Sequence, residues 1–204
     1  SESCRILARL KNEFPRTHVC VGGPHVGMYP AETIQLPYID SLVLGDGEEP
    51  FLQICRGVAS GGGPDALDQL RFAALPPGTV TKRSQAAGIQ TKPWAVEDLD
   101  ALPMPDLSLL GDHRRYRDFL SDRVMAILTT SRGCPYRCHY CSSESSSYRS
   151  FSIGRVIEIM RHYVSQGVEY IEFWDETFNP NKRRLTEFAD ALLESGLTVA
   201  WGIR

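Results

Sequence analysis

The chain has 204 residues, 42% hydrophobic and 23% charged, with a formal net charge of -3; this fits one or two modest globular domains and excludes pervasive disorder. No apolar run approaches the about 20 residues of a membrane-spanning helix, and the slight acidity gives no electrostatic reason to expect a nucleic-acid backbone as partner. The expectation is a cytoplasmic protein with neither a membrane nor a nucleic acid among its partners. The chain begins without a methionine, and Ile6, Leu7, Leu10 and Phe14 already have helical spacing near its start, so it is expected to be part of a longer protein.

Residues 1–60 alternate helix and strand. The pattern predicts a helix to about Phe14, a strand near His18 to Val21, a short helix after Pro30, a strand over Ile39 to Leu44 and a helix from about Glu49. Both strands run into glycine-rich turns, Gly22-Gly23-Pro24 and Gly45-Asp46-Gly47-Glu48. That is the arrangement of an open parallel sheet whose ligand crevice lies at the strand C-termini. The competing explanation is that these glycines only permit tight turns.

Residues 61–122 change character. Gly61-Gly-Gly-Pro64, Pro76-Pro-Gly78, Pro93, Pro103 and Pro105 punctuate a stretch without sustained helical period, which predicts a linker with a hairpin near Thr79 to Ile89. From Arg123 onward the periodicity returns. Val124 to Thr130 is an apolar run that reads as a buried strand, and a cysteine loop and a serine-rich turn (Ser142 to Ser147) follow it. Ile153, Val156, Ile157, Met160 and Val164 then recur at helical spacing before Gly167, and Val168 to Trp174 reads as a strand. Asn179-Pro180 predicts the start of a helix with Leu185, Phe188, Ala189 and Leu192 on one face and Gly196 at its end. Leu197 to Ile203 is a third strand. A β-loop-α-β-α-β order requires parallel strands joined by crossovers.

The most informative segment is Arg132-Gly-Cys-Pro-Tyr-Arg-Cys-His-Tyr-Cys-Ser142. Cys134, Cys138 and Cys141 stand together in it, whereas Cys4, Cys20 and Cys55 are scattered and read as buried small hydrophobes or bystanders. A structural zinc site usually takes four ligands from two turns, and no second Cys/His pair stands at the usual distance. A disulfide would leave one of the three thiols unpaired. Thiolates are the expected ligands of a four-iron cluster, and three of them leave the fourth iron open to a non-protein ligand. Zinc remains the competing reading of the same trio.

The Cys-x-x-x-Cys-x-x-Cys run, with Tyr140 before its last cysteine and a strand leading in, resembles the radical S-adenosylmethionine (radical SAM) enzymes. Val21-Gly-Gly-Pro-His25, Pro30-Ala-Glu32 and Asp40-Ser-Leu-Val-Leu-Gly-Asp-Gly-Glu-Glu-Pro-Phe51 are similar to the C-terminal half of the cobalamin-binding domain that precedes some radical SAM cores. Asp46 stands there in place of a usual glutamate. Leu99-Asp-Ala-Leu-Pro-Met-Pro-Asp106 resembles the segment that bridges those domains.

The resemblance implies an α/β fold: a partial Rossmann-like cobalamin-binding domain over residues 1–60, a linker over 61–122, and the first half of a radical SAM (β/α) partial barrel over 123–204. It implies a four-iron four-sulfur cluster on Cys134, Cys138 and Cys141, and S-adenosylmethionine held by Tyr140, Asp175, Glu176 and Arg204. Cobalamin would lie against Gly22, Gly23, Pro24, Gly45, Gly47 and Glu48. His25 is not the family's cobalt-ligating histidine, since it follows the Gly-Gly-Pro turn. The activity implied is reductive cleavage of S-adenosylmethionine, most often for cobalamin-dependent methyl transfer. The alternatives are a cyclase or oxidoreductase using the same domain pair, or an iron-sulfur electron-transfer module. Implied partners are a small-molecule or peptide substrate and an electron donor such as flavodoxin or ferredoxin. The isolated segment is expected to bind cluster and cofactor poorly.

Overall fold

The computed structural model describes residues 2–62, 67, 74–141 and 147–203. The chain forms two compact units, divided between Val96 and Glu97. The fold is α/β, as the alternating periodicity implies. The described residues of 61–122, which read in sequence as a linker, therefore fall partly in each of the two compact units.

The first unit opens with α1 (Glu2–Glu13) and β1 (Cys20–Val21), followed by α2 (Pro24–Met28), α3 (Pro30–Ile34), β2 (Ser41–Val43) and α4 (Glu48–Gly57). α2 follows directly from the Gly22-Gly23 turn, with Pro24 at its first position, where a missing N–H costs nothing. β1 and β2 pair in parallel, Cys20 opposite Ser41 and Val21 opposite Leu42. Their glycine-rich turns therefore leave the same edge of the sheet. Val19, Val26, Ile34, Ile39, Leu42, Leu44 and Val80 form the core beneath, and Lys11 on α1 bonds the Asp40 carboxylate at 2.7 Å.

Two expectations for this unit need correction. The predicted hairpin near Thr79 to Ile89 is instead β3 (Thr79–Thr81) running straight into α5 (Lys82–Ala86). The reason is local: Thr81 and Ser84 form a reciprocal capping box, each side chain serving the other's backbone N–H, and this starts a helix where a turn was expected. β3 pairs with β2 antiparallel, so the sheet is mixed and its order is β1-β2-β3.

The second unit carries the cysteine loop. Its sheet has the order β4 (Met125–Leu128), β7 (Tyr170–Phe173), β8 (Ala200–Ile203), all parallel. α6 (Ile153–Ser165) and α7 (Lys182–Ser195) are the helices of the two crossovers. α6 buries Val156, Ile157, Ile159, Met160 and Tyr163, the stripe expected of a helix lying on a sheet. α7 is capped by Asn181, whose side chain accepts from the Arg184 N–H; the predicted Asn179-Pro180 start falls two residues early. Of its expected apolar face only Phe188 is fully buried. Phe188 makes edge-on ring contacts with Phe173, Phe178 and Trp201 at 5.5–5.7 Å between centroids.

Residues 99–113 strap this unit rather than hang free. Leu99 and Leu107 are buried, Arg155 donates to the Leu102 carbonyl at 2.8 Å, and His162 bonds the Pro105 carbonyl at 3.0 Å. Asp100 accepts from the N–H of Ser152, the residue that caps α6.

Candidate functional site: the cysteine loop and the end of β7

The loop is closed at its base. β5 (Ser131–Arg132) and β6 (Arg149–Ser150) pair antiparallel on either side of it, Ser131 opposite Ser150 and Arg132 opposite Arg149. The Phe151 N–H donates to the Thr130 carbonyl at 3.0 Å just outside that ladder. The loop thus leaves the C-terminal end of β4 and returns to it. In parallel α/β sheets that end is where ligands bind.

Beneath the loop lies a buried polar knot. Asp175, 7% exposed at the end of β7, accepts from Ser131 Oγ at 2.5 Å and from Thr130 Oγ1 at 3.1 and 3.2 Å. Burial pushes its carboxyl pKa up, and the hydrogen bonds from Ser131 and Thr130 oppose that rise. Arg184 on α7 donates to the Phe151 carbonyl at 2.9 Å and the Thr130 carbonyl at 3.2 Å. These bonds give the buried groups at the loop's entrance their partners, as burial requires. The Thr-Thr-Ser that follows the apolar run of β4, matched with Asp-Glu-Thr at the end of β7, is the only sequence signal for this knot. A reading for cofactor ligands passes over Thr130, Ser131 and Arg184.

Of the residues predicted to bind S-adenosylmethionine, Asp175 is buried and bonded within the protein while Glu176 is exposed. Tyr140 is 92% exposed, and its interaction with the Cys138 thiol raises the phenol pKa above its ordinary value. Arg204 lies outside the described residues, as does most of the serine-rich turn, residues 142–146.

Cys134 is half-buried and its sulfur lies 3.0 Å from Thr177 Oγ1. Cys138 and Cys141 are exposed, on a turn closed by the Cys141 N–H donating to the Cys138 carbonyl at 3.0 Å. All three are free thiols. Among the described residues, no three His, Cys, Asp or Glu side chains are gathered closely enough to hold a metal ion. Protonated thiols have no mutual attraction to draw them together; the ion that deprotonates them does so, which couples ligation to local ordering. The donor set itself, three free thiols on one pinned loop, fits an iron-sulfur cluster with one iron open.

In the first unit, Gly23 holds a φ of +99° ahead of Pro24, and Gly47 precedes the first residue of α4, Glu48. Gly45 has a packing reason for its identity: at φ +83° an added Cβ would stand 2.1 Å from the Trp94 carbonyl oxygen. The Asp46 carboxylate accepts from the Val96 N–H at 2.8 Å. The tight-turn explanation therefore accounts for Gly45, while among the described residues nothing beyond the chain neighbours lies within 4 Å of a Cβ placed on Gly23 or Gly47. Cys4 and Cys20 are half-buried and Cys55 is exposed, so of the two readings for these scattered cysteines, bystander rather than buried small hydrophobe describes Cys55.

No protein-family model matches the chain. It is 31% identical over 197 residues to the uncharacterized methyltransferase PH0819 of Pyrococcus horikoshii, covering 94% of this chain and 40% of that protein. It is 29% identical to the anaerobic magnesium-protoporphyrin IX monomethyl ester cyclase of Rubrivivax gelatinosus, covering 98% of this chain and 35% of that protein. It is also 29% identical to the cobalamin-dependent radical SAM methyltransferase TokK of Streptomyces tokunonensis, covering 94% of this chain and 28% of that protein. The fold matches the structure of the radical S-adenosylmethionine methyltransferase TsrM from Kitasatospora setae, solved with cobalamin and a [4Fe-4S] cluster. The TM-score is 0.64 at 16% identity, covering 95% of this chain and 36% of that one. The chain thus spans less than half the length of these curated relatives. No helix among the described residues is long and apolar enough to cross a membrane.

Proposed function

We infer that this chain belongs to the cobalamin-associated radical SAM family and is the segment of a methyltransferase that holds an iron-sulfur cluster and part of a cobalamin site. The observation that carries the reading is the cysteine loop itself. Three free thiols at 134, 138 and 141 stand on a loop pinned by β5 and β6 at the C-terminal end of a parallel sheet.

In this reading residues 1–60 belong to the cobalamin domain and residues 123–204 to the radical SAM core. When bound, the cluster supplies the electron that cleaves the S-adenosylmethionine sulfonium, and cobalamin serves as the methyl carrier. The protein's own part is positional. Cys134, Cys138 and Cys141 would hold three irons as thiolates and leave the fourth iron open to the amino and carboxylate groups of S-adenosylmethionine. Tyr140, Glu176 and Arg204 contribute to its site. Asp175 acts from beneath, because its oxygens already accept from Ser131 and Thr130. Cobalamin takes the edge where the turns after β1 and β2 emerge together, with Gly22, Gly23, Pro24, Gly45, Gly47 and Glu48 along it. The substrate is a small molecule or peptide, and the electron comes from a donor such as flavodoxin or ferredoxin.

A second reading, a cyclase or oxidoreductase on the same domain pair, is favoured by the likeness to the Rubrivivax cyclase. The test is anaerobic reconstitution of the whole protein with iron and sulfide, then assay of 5'-deoxyadenosine and methyl transfer with and without cobalamin. Cobalamin-dependent methyl transfer is expected. Deoxyadenosine formed without any need for cobalamin favours the second reading, and a fully cysteine-ligated cluster that gives neither product marks an electron carrier. Cys138→Ala is expected to abolish the cluster's visible absorbance.

A further inference from the structure

The turn that follows β7 holds one cysteine differently from the other two. Thr177 sits between two buried anchors, Asp175 at 7% exposure and Phe178 at 8%. Asp175 is tied to the entrance of the cysteine loop through Ser131 and Thr130, and Phe178 packs on Phe173 with ring centroids 4.9 Å apart. The Thr177 hydroxyl is thereby set in place beside Cys134 Sγ, 3.0 Å away.

The direction of that hydrogen bond depends on the state of the sulfur. A hydroxyl has one proton to give and two lone pairs to offer. The Thr177 hydroxyl also lies 2.8 Å from the Glu176 carbonyl, which can only accept, so while that bond is made a Cys134 thiol is the donor of the pair. A sulfur that ligates iron has lost its proton and can only accept. The contact then survives only if the Thr177 hydroxyl turns its proton from a neutral carbonyl to an anionic sulfur. Bonds to ionised acceptors are about twice as strong as neutral ones, so the exchange is favourable.

We propose that Thr177 is a positioning residue that donates a hydrogen bond to the Cys134 thiolate and thereby raises the reduction potential of the cluster. The proposal rests on the reading that these cysteines hold an iron-sulfur cluster. Its physical basis is that a donor aimed at a ligand sulfur stabilises the more negative, reduced cluster, and hydrogen bonds to the sulfurs are among the factors that set such potentials.

The experiment compares the reconstituted wild type with Thr177→Val, which keeps the shape and loses the hydroxyl, and Thr177→Ser, which keeps the hydroxyl. The readout is the midpoint potential, from titration followed by visible absorbance and by the paramagnetic signal of the reduced cluster. The valine variant is expected to shift to a lower potential and the serine variant to stay with the wild type. A loaded valine variant at unchanged potential overturns the proposal. Should the valine variant hold no cluster, the serine variant decides: loading at the wild-type potential supports the hydroxyl's role, and failure to load overturns it. A wild type that takes up no cluster removes the functional reading and the proposal together. That outcome is distinct from a loaded valine protein that does not shift.

Discussion

The Asp175 carboxylate accepts the Ser131 hydroxyl at 2.5 Å, joining the end of β7 to the first residue of β5 across 44 positions of sequence. The bond links the acidic turn to the foot of the cysteine loop, and it is buried. What happens at 175 is therefore felt at the loop that starts at 131.

Asp175→Ala removes the acceptor for two buried hydroxyls, those of Thr130 and Ser131. An unsatisfied buried polar group costs about 1–3 kcal/mol, and the variant is expected to lose stability in that range. Urea unfolding followed by tryptophan fluorescence measures it. A midpoint equal to that of the wild type contradicts the bracing role.

The pH dependence of the same residue has a definite sign. Burial raises the Asp175 pKa above its ordinary 3.8, so the folded state holds the proton more tightly than the unfolded one. By linkage, this residue's contribution favours folding more as pH falls through the raised folded value, and it levels off below the ordinary value near 3.8. Stability of the wild type relative to Asp175→Asn should therefore rise as pH is lowered toward 4 from neutrality. Paired unfolding curves at several pH values check the trend; a flat difference or one of opposite slope contradicts it.

Gly45→Ala in the first unit meets two obstacles, a φ of +83° and a Cβ 2.1 Å from the Trp94 carbonyl oxygen. Backbone shifts forced by overpacking cost about 1–3 kcal/mol. The variant is expected to be destabilised by at least that much with no cobalamin present. Thermal unfolding in the absence of cobalamin gives the answer, and an unchanged transition would return Gly45 to a purely ligand-binding role.

Gly202 on β8 faces the hydrogen-bonded Tyr170 and Glu172 of β7. Alanine there would bring a Cβ to 2.2 Å from the Tyr170 hydroxyl and 3.1 Å from Glu172 Oε2. Gly202→Ala should cost about 1–3 kcal/mol, and less in a Tyr170→Phe background, where the clashing oxygen is gone. A double-mutant cycle on unfolding free energies measures the coupling. Additive losses would mean that the glycine matters for another reason.

The periodic stretches are legible in sequence because their signal is local. The stripe of α6, the strand within Val124 to Thr130, the cap at Gly196 and the cysteine spacing all follow from residues that serve their own element. Misreadings fall where one residue outweighed the pattern. Thr81 and Ser84 cap a helix in place of a hairpin, and Asn181 takes the cap from Asn179. The prolines of residues 93–105 punctuate a segment that packs through Leu99, which no periodicity announces.

From the sequence alone came the identity of the thiol trio and its place after a strand, since three cysteines in one loop need no partner elsewhere to declare their chemistry. The tertiary structure alone decided what stands beneath and beside that loop. Parallel pairing of β4 with β7 sets Leu128 opposite Phe173, and the turns just beyond those strand ends meet. Asp175 then lies against Thr130 and Ser131, and Thr177 against Cys134. Contacts between residues more than 40 positions apart exist only once the strands have paired, so they leave no periodic trace in the chain.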